Sequence, residues 1–204
     1  MDIIDVKRKE FREDKIFGNN KEIMSAFNVI LGVTGSISAY KACDIISGLN
    51  SNSINVKVVM TENAKRFITE ETLAVLSHNK VYSDTNRDLD GKVSHIELAK
   101  WANLMIIAPC TANTIAKLEA RFCDNFLLSV AMAMPLSNGV KNIIAPAMNP
   151  NMWAKCAKST FSGWKLIDPV FGMAACGDIG VGKLESPRKI VQIVLKELGR
   201  KIDA

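Results

Sequence analysis

Hydrophobic residues fall along this chain in short, nearly continuous runs separated by longer amphipathic stretches. This is the pattern of parallel strands buried on both faces, with helices between them. Phe27–Val33, Asn55–Met60, Leu104–Ala108, Asn142–Ala145 and Trp164–Ile167 predict five such strands. A helix with Tyr40, Cys43, Ile46 and Leu49 as its apolar positions is expected after the first strand. Others are expected from Thr61, over Ser94–Trp101, from Ile115, over Phe126–Met134 and over Trp153–Lys158. Ser186-Pro187, a cap followed by an N1 proline, opens a last helix with Ile190, Ile193, Val194 and Leu198 on its apolar face. The alternation predicts an α/β fold: a Rossmann-like (flavodoxin-like) doubly wound parallel sheet in a single domain.

Four stretches depart from the rhythm. Residues 1–27 mix acidic and basic side chains without a signal-peptide core, so they read as an N-terminal extension, either a solvated helix or a mobile segment, ahead of a domain at 28–204. Ser77–Lys92 is polar, with Asp84, Arg87, Asp88 and Asp90, and predicts a surface loop. Phe126–Met134 is more apolar than a helix with one solvated face requires, which fits either a subunit contact or a central helix. Phe171–Lys183 holds Gly172, Gly177, Gly180 and Gly182 and predicts a conformationally loose flap at about 168–187. Cys176 lies at its middle, outside any apolar periodicity.

Composition narrows the classes. With 204 residues and 48% hydrophobic content, the chain can bury a substantial core. Lys and Arg number 26 against 21 Asp and Glu, a net +5 that is too diffuse, with no basic-aromatic block, to argue for nucleic acid. No apolar run approaches the roughly 18 residues of a membrane helix. The five cysteines show no CxxC or CxxxH spacing, so neither a metal site nor a disulfide framework is expected; reduced thiols point to the cytoplasm.

Candidate chemistry gathers where strands end. Thr34-Gly35-Ser36-Ile37-Ser38 is a run of mostly small residues at a strand-to-helix turn, either a serine-capped tight turn or a seat for a phosphate at a helix N-terminus. It is not the GxGxxG fingerprint and has no Walker lysine. Thr61 follows the second strand as a cap that could face the same phosphate, and Pro109-Cys110-Thr111-Ala112-Asn113-Thr114 is a third polar exit. His95 stands at a helix entrance. The fourth exit, Ala145 to Trp153, carries Pro146 and Pro150 around Asn149, whose planar amide offers both a donor and an acceptor.

Pro146, Met148, Asn149, Met152 and Trp153 fill every fixed position of Pro-x-Met-Asn-x-x-Met-Trp, and three further blocks occur in order: Gly32–Ile37, His95–Ala102 and Ala175-Cys176-Gly177-Asp178. Over most of its length the chain thus resembles the homo-oligomeric flavin-containing cysteine decarboxylases, in particular the phosphopantothenoylcysteine decarboxylases. The resemblance implies FMN as cofactor, with its phosphate on Gly35, Ser36 and Ile37 near Thr61, and its flavin lined by Thr111, Ala112, Asn113, Thr114 and Ala147. It implies His95 as the catalytic histidine, Asn149 with Met148 binding the substrate, phosphopantothenoylcysteine, by its carboxylate, and Cys176 as proton donor on the flap. It further implies a homotrimer, sometimes a dodecamer, with sites between subunits, and decarboxylation through a thioaldehyde and an enethiolate. Cys110 and Met173 depart from the family pattern. A peptidyl-cysteine decarboxylase, a flavin prenyltransferase and a phosphatase-regulatory subunit are the competing readings.

Overall fold

Val29, Leu31 and Val33 turn to one side of the first strand and Ile30 to the other, yet all four are fully buried. A strand covered on both faces belongs at the centre of a parallel sheet. In the computed structural model, which describes residues 27–85, 94–135, 142–157 and 163–200, it does. Strands β1 (Asn28–Val33), β2 (Asn55–Met60), β3 (Val81–Tyr82), β4 (Leu104–Cys110), β5 (Asn142–Pro146) and β6 (Trp164–Leu166) form one sheet in the order β3-β2-β1-β4-β5-β6. Every pairing is parallel.

Helices α1 (Ala42–Asn50), α2 (Glu70–Ser77) and α7 (Pro187–Glu197) cover one face, packing Ile45, Leu49, Leu73, Ile190 and Val194 onto Leu31, Val58 and Ile106. On the other face, α3 (Ser94–Trp101), α4 (Ala112–Glu119) and α5 (Phe126–Ala133) bring Leu98, Ile115, Leu127 and Val130 against Ile30, Met105 and Ile107. The doubly wound expectation therefore holds. A short helix α6 (Pro150–Cys156) follows β5, and β7 (Val170–Met173) pairs antiparallel with β8 (Ile179–Lys183) as a separate hairpin.

Several local expectations change. Tyr40 does not join the buried face of α1, because Ile37–Lys41 winds as a 3₁₀ turn of three residues per turn and leaves Tyr40 57% exposed. The polar stretch from Ser77 conceals β3, which pairs only Val81 and Tyr82 with Val58 and Val59. Helix α6 starts at Pro150, earlier than Trp153, because Asn149 caps it through an Asn151 N–H bond of 2.8 Å. Helix α6 ends at Cys156, while its expected last residue, 158, and the N-terminal extension at residues 1–26 lie outside the described residues.

Two glycines of the glycine-rich flap are used for close packing. A Cβ on Gly182 would sit 2.4 Å from the Met148 carbonyl oxygen and one on Gly180 2.7 Å from the Pro150 Cβ, so these glycines allow β8 to seat directly on the backbone after β5. Met148 N–H donates to the Gly182 carbonyl at 2.9 Å and fastens the contact. Of the flap's four glycines, Gly177, at φ 90°, is the one that uses left-handed freedom, and it does so in the hairpin turn.

At the sheet's carboxyl edge, the buried Thr34 hydroxyl donates to the Pro109 carbonyl at 2.7 Å and accepts the Thr111 N–H at 3.1 Å. Thr34→Val keeps the shape but strands both partners, at a cost of about 2–4 kcal/mol in all. Urea unfolding measures this directly: a loss below about 0.5 kcal/mol would mean the hydroxyl is dispensable.

Candidate functional site

In the order β3-β2-β1-β4-β5-β6 the winding reverses between β1 and β4, and a crevice opens outside their carboxyl ends. The turn after β1 supplies Thr34, Gly35 and Ser36; the exit of β2 supplies Thr61; the exit of β4 supplies Thr111, Ala112, Asn113 and Thr114; and Ala147 and Met148 follow β5. Together they line a cleft of about 550 Å³, the size range of small-ligand sites. A Cβ on Gly35 would lie 2.6 Å from the Asn63 Cβ, so glycine is what permits this close approach.

The cleft is built from capped turns. Ser36 Oγ accepts from the Ser38 N–H at 3.2 Å, and Thr111 Oγ1 accepts from the Thr114 N–H at 3.4 Å, each at the start of a helical segment. Thr61 is different. It precedes a 3₁₀ turn without capping it, and its hydroxyl oxygen is buried with no hydrogen-bond partner among the described residues. A buried hydroxyl costs free energy unless something bonds it, so Thr61 fits a site whose missing partner is an acceptor on a ligand.

A second cleft of about 420 Å³ adjoins the first, and Ser36, Ala147 and Met148 line both. Its roof is the β7–β8 hairpin. Asn149 Nδ2 donates to Cys176 Sγ at 3.2 Å and to an Asp178 carboxylate oxygen, while Oδ1 of the same side chain caps α6. Asn149 is thus both the cap that pattern reading allows and a donor held against an exposed thiol. Ile37, expected at the phosphate end of the first cleft, lines the second instead.

His95 is the one expected residue that joins neither cleft. It is half-buried in the first turn of α3, a helix that packs against α5. Because α3 leads into β4, its N-terminus lies at the same edge of the sheet as both clefts. Cys110 is fully buried within β4, and burial pushes its thiol well above the ordinary range, so it fills space.

Other lining residues lacked any motif. Asn63, Asp84, Lys117 and Asn125 all face the first cleft. Asp84 accepts the Phe126 N–H at 2.6 Å and Asn125 accepts the Leu128 N–H at 2.9 Å, so both fix the start of α5. Helix α5 in turn borders a cavity of about 510 Å³ lined by Phe122, Leu128, Met132, Met134 and Trp164 together with Glu119 and Arg121. Phe122 and Met132 are about half exposed there.

An all-parallel sheet whose strand exits converge on a cleft at the winding reversal defines a protein of the doubly wound α/β class, with that cleft at the place where such folds bind their ligands. The sequence model of the Flavoprotein family matches residues 18–199, and the chain belongs to that family. It is 42% identical over 177 residues to a probable phosphopantothenoylcysteine decarboxylase of Streptococcus mutans, covering 83% of this chain and 98% of that protein. It is 41% identical over 184 residues to the coenzyme A biosynthesis bifunctional protein CoaBC of Bacillus subtilis, covering 87% of this chain but only 44% of that protein. Among solved structures, a mutant PPC decarboxylase complexed with pantothenoylaminoethenethiol superposes with a TM-score of 0.76 at 28% identity, over 86% of this chain and 100% of that one. The FMN binding protein AtHal3 gives 0.74 at 28% identity, over 88% and 100%.

Proposed function

We propose that the chain is an FMN-dependent decarboxylase that converts 4'-phosphopantothenoyl-L-cysteine to 4'-phosphopantetheine and CO₂ in coenzyme A biosynthesis, as a soluble cytoplasmic enzyme. The observation that carries the reading is the contact of Asn149 with Cys176 beneath the hairpin, in a cleft that opens onto the one at the β1–β4 exits. Membership of the flavoprotein family and similarity to decarboxylases support it. Among the described residues no helix is long and apolar enough to cross a membrane.

FMN suits the first cleft. Gly35, Ser36 and the unpartnered Thr61 hydroxyl would hold its phosphate, and Thr111, Ala112, Asn113, Thr114 and Ala147 would border its ring. When bound, FMN supplies a two-electron acceptor that draws electrons from the cysteinyl CH₂–SH, giving the adjacent carboxylate an electron sink, and restores them afterwards. The protein's own groups handle carboxylate and proton. Asn149 Nδ2 exchanges its donations to Cys176 and Asp178 for the departing carboxylate and holds it in a fixed orientation. Cys176 then delivers a proton to the carbon skeleton after CO₂ has gone. That Cys176 lines the second cleft beside Asn149 supports this role.

His95, outside both clefts of its own chain, acts in the cleft of a neighbouring copy within a homotrimer or a larger assembly of trimers. The half-exposed Phe122 and Met132, beside the cavity at α5, support such an interface. Asn149 and Cys176 belong to one chain, and His95 belongs to the next.

Anaerobic turnover by Cys176→Ser is the direct test. CO₂ release stops at about one per FMN with the flavin left reduced, formation of 4'-phosphopantetheine falls by about 10² or more, and the product is held at the enethiol level; wild-type phosphopantetheine formation would remove the thiol from the reaction. Shared sites predict complementation: chains carrying His95→Asn, mixed and reassembled with chains carrying Cys176→Ser, regain phosphopantetheine synthesis that neither shows alone. No recovery in verified mixed oligomers would place His95 in its own chain's site or outside the chemistry.

A further inference from the structure

The hairpin does not keep a strict alternation. Phe171 pairs with Val181 and Met173 with Ile179, but Val170 pairs with Lys183, so Gly182 is an extra residue in β8. A bulge of this kind turns every later side chain to the opposite face. Without it, Lys183 would share the face of Val181 and Ile179; with it, Lys183 shares the face of Gly172 and Gly180, the face that Gly180 seats on Pro150. Gly172 leaves its stem a path: a Cβ there would meet Lys183 Cδ at 2.7 Å and Nζ at 3.3 Å.

Lys183 consequently lines the second cleft together with Lys41, which comes from the turn after β1. The Lys41 ammonium donates only weakly, at 3.4 Å, to the Leu184 carbonyl. Neither lysine forms an ion pair among the described residues. Glu185 is near Lys41 but is committed to Lys189, at 2.6 Å, and to the Ser186 N–H; Asp44 also lies within electrostatic range. Burial, and then the charge of Lys183, hold the Lys41 ammonium below its ordinary pKa despite these carboxylates. Two cations share one cleft wall, a disposition that an anion relieves.

We infer that Lys183 and Lys41 form the seat for the substrate's phosphate, with Lys183 as the specificity-determining residue; this rests on the decarboxylase function proposed above. The placement agrees: Lys183, Lys41, Asn149 and Cys176 all line this one cleft, so a substrate whose carboxylate meets Asn149 and Cys176 keeps its phosphate in the same cavity as the two lysines.

The test compares phosphopantothenoylcysteine with unphosphorylated pantothenoylcysteine on the FMN-loaded enzyme. Lys183→Gln raises KM for the phosphorylated substrate about tenfold or more with kcat within about twofold, leaves kcat/KM for the unphosphorylated substrate at the wild-type value, and Lys183→Arg recovers most of the loss. Lys41→Gln shows the same selectivity. Equal losses on both substrates, or no loss on either, would overturn the assignment while the decarboxylase reading stands. A wild-type enzyme that releases no CO₂ from either compound sinks that reading, and the phosphate seat with it.

Discussion

The Thr34 hydroxyl bridges the two strands between which the sheet changes direction, donating to the Pro109 carbonyl and accepting the Thr111 N–H. Reversal of winding splays the loops after β1 and β4 apart, and a crevice there is a consequence of topology. Its shape is not. Without the bridge, the β4 exit would be free to shift against the turn that carries Gly35 and Ser36, and the cleft between them would lose its outline. A buried, fully paired hydroxyl is an economical lock, because breaking it leaves the Pro109 carbonyl and the Thr111 N–H without their partner.

A second constraint joins the hairpin to this frame. Gly180 and Gly182 bring β8 onto the backbone of residues 148–150, and the Met148–Gly182 hydrogen bond sets its register there. Asn149 then serves two masters: its oxygen starts α6 and its nitrogen meets the thiol of Cys176. A side chain whose acceptor is already engaged has only its donor left to offer, so the cap orients the amide for an anionic ligand. Because Ser36, Ala147 and Met148 line both clefts, cofactor and substrate would meet where the two adjoin.

Most of the frame was legible in the chain. Five of the six sheet strands announce themselves because burial on both faces demands unbroken apolar runs, as in Leu104–Ile107. Strand β3 escaped because two residues amid polar neighbours, Val81 and Tyr82, carry no periodicity. Tyr40 was misplaced because a 3₁₀ turn changes the angular phase ahead of α1. The flap glycines suggested freedom, whereas two of them serve close packing, a role visible only when the neighbouring backbone is in place. Of the site, the turn residues stand out as small, polar strand exits, and Asn149 and Cys176 each sit in a motif of their own; that the two side chains touch is visible only in the fold. Lys183 was not, since its direction depends on a one-residue register slip, and Asp84 acts through a backbone bond to Phe126 far along the chain.

The account depends on the cleft at the β1 and β4 exits being a flavin site, and Thr61 gives that claim a sharp handle. Titration of FMN into the purified chain, followed by quenching of flavin fluorescence, should saturate at one FMN per chain, and Thr61→Val should weaken binding about tenfold or more while leaving the free chain at least as stable. A wild-type chain that leaves the fluorescence of added FMN unchanged, and carries none from purification, would contradict the account at its root.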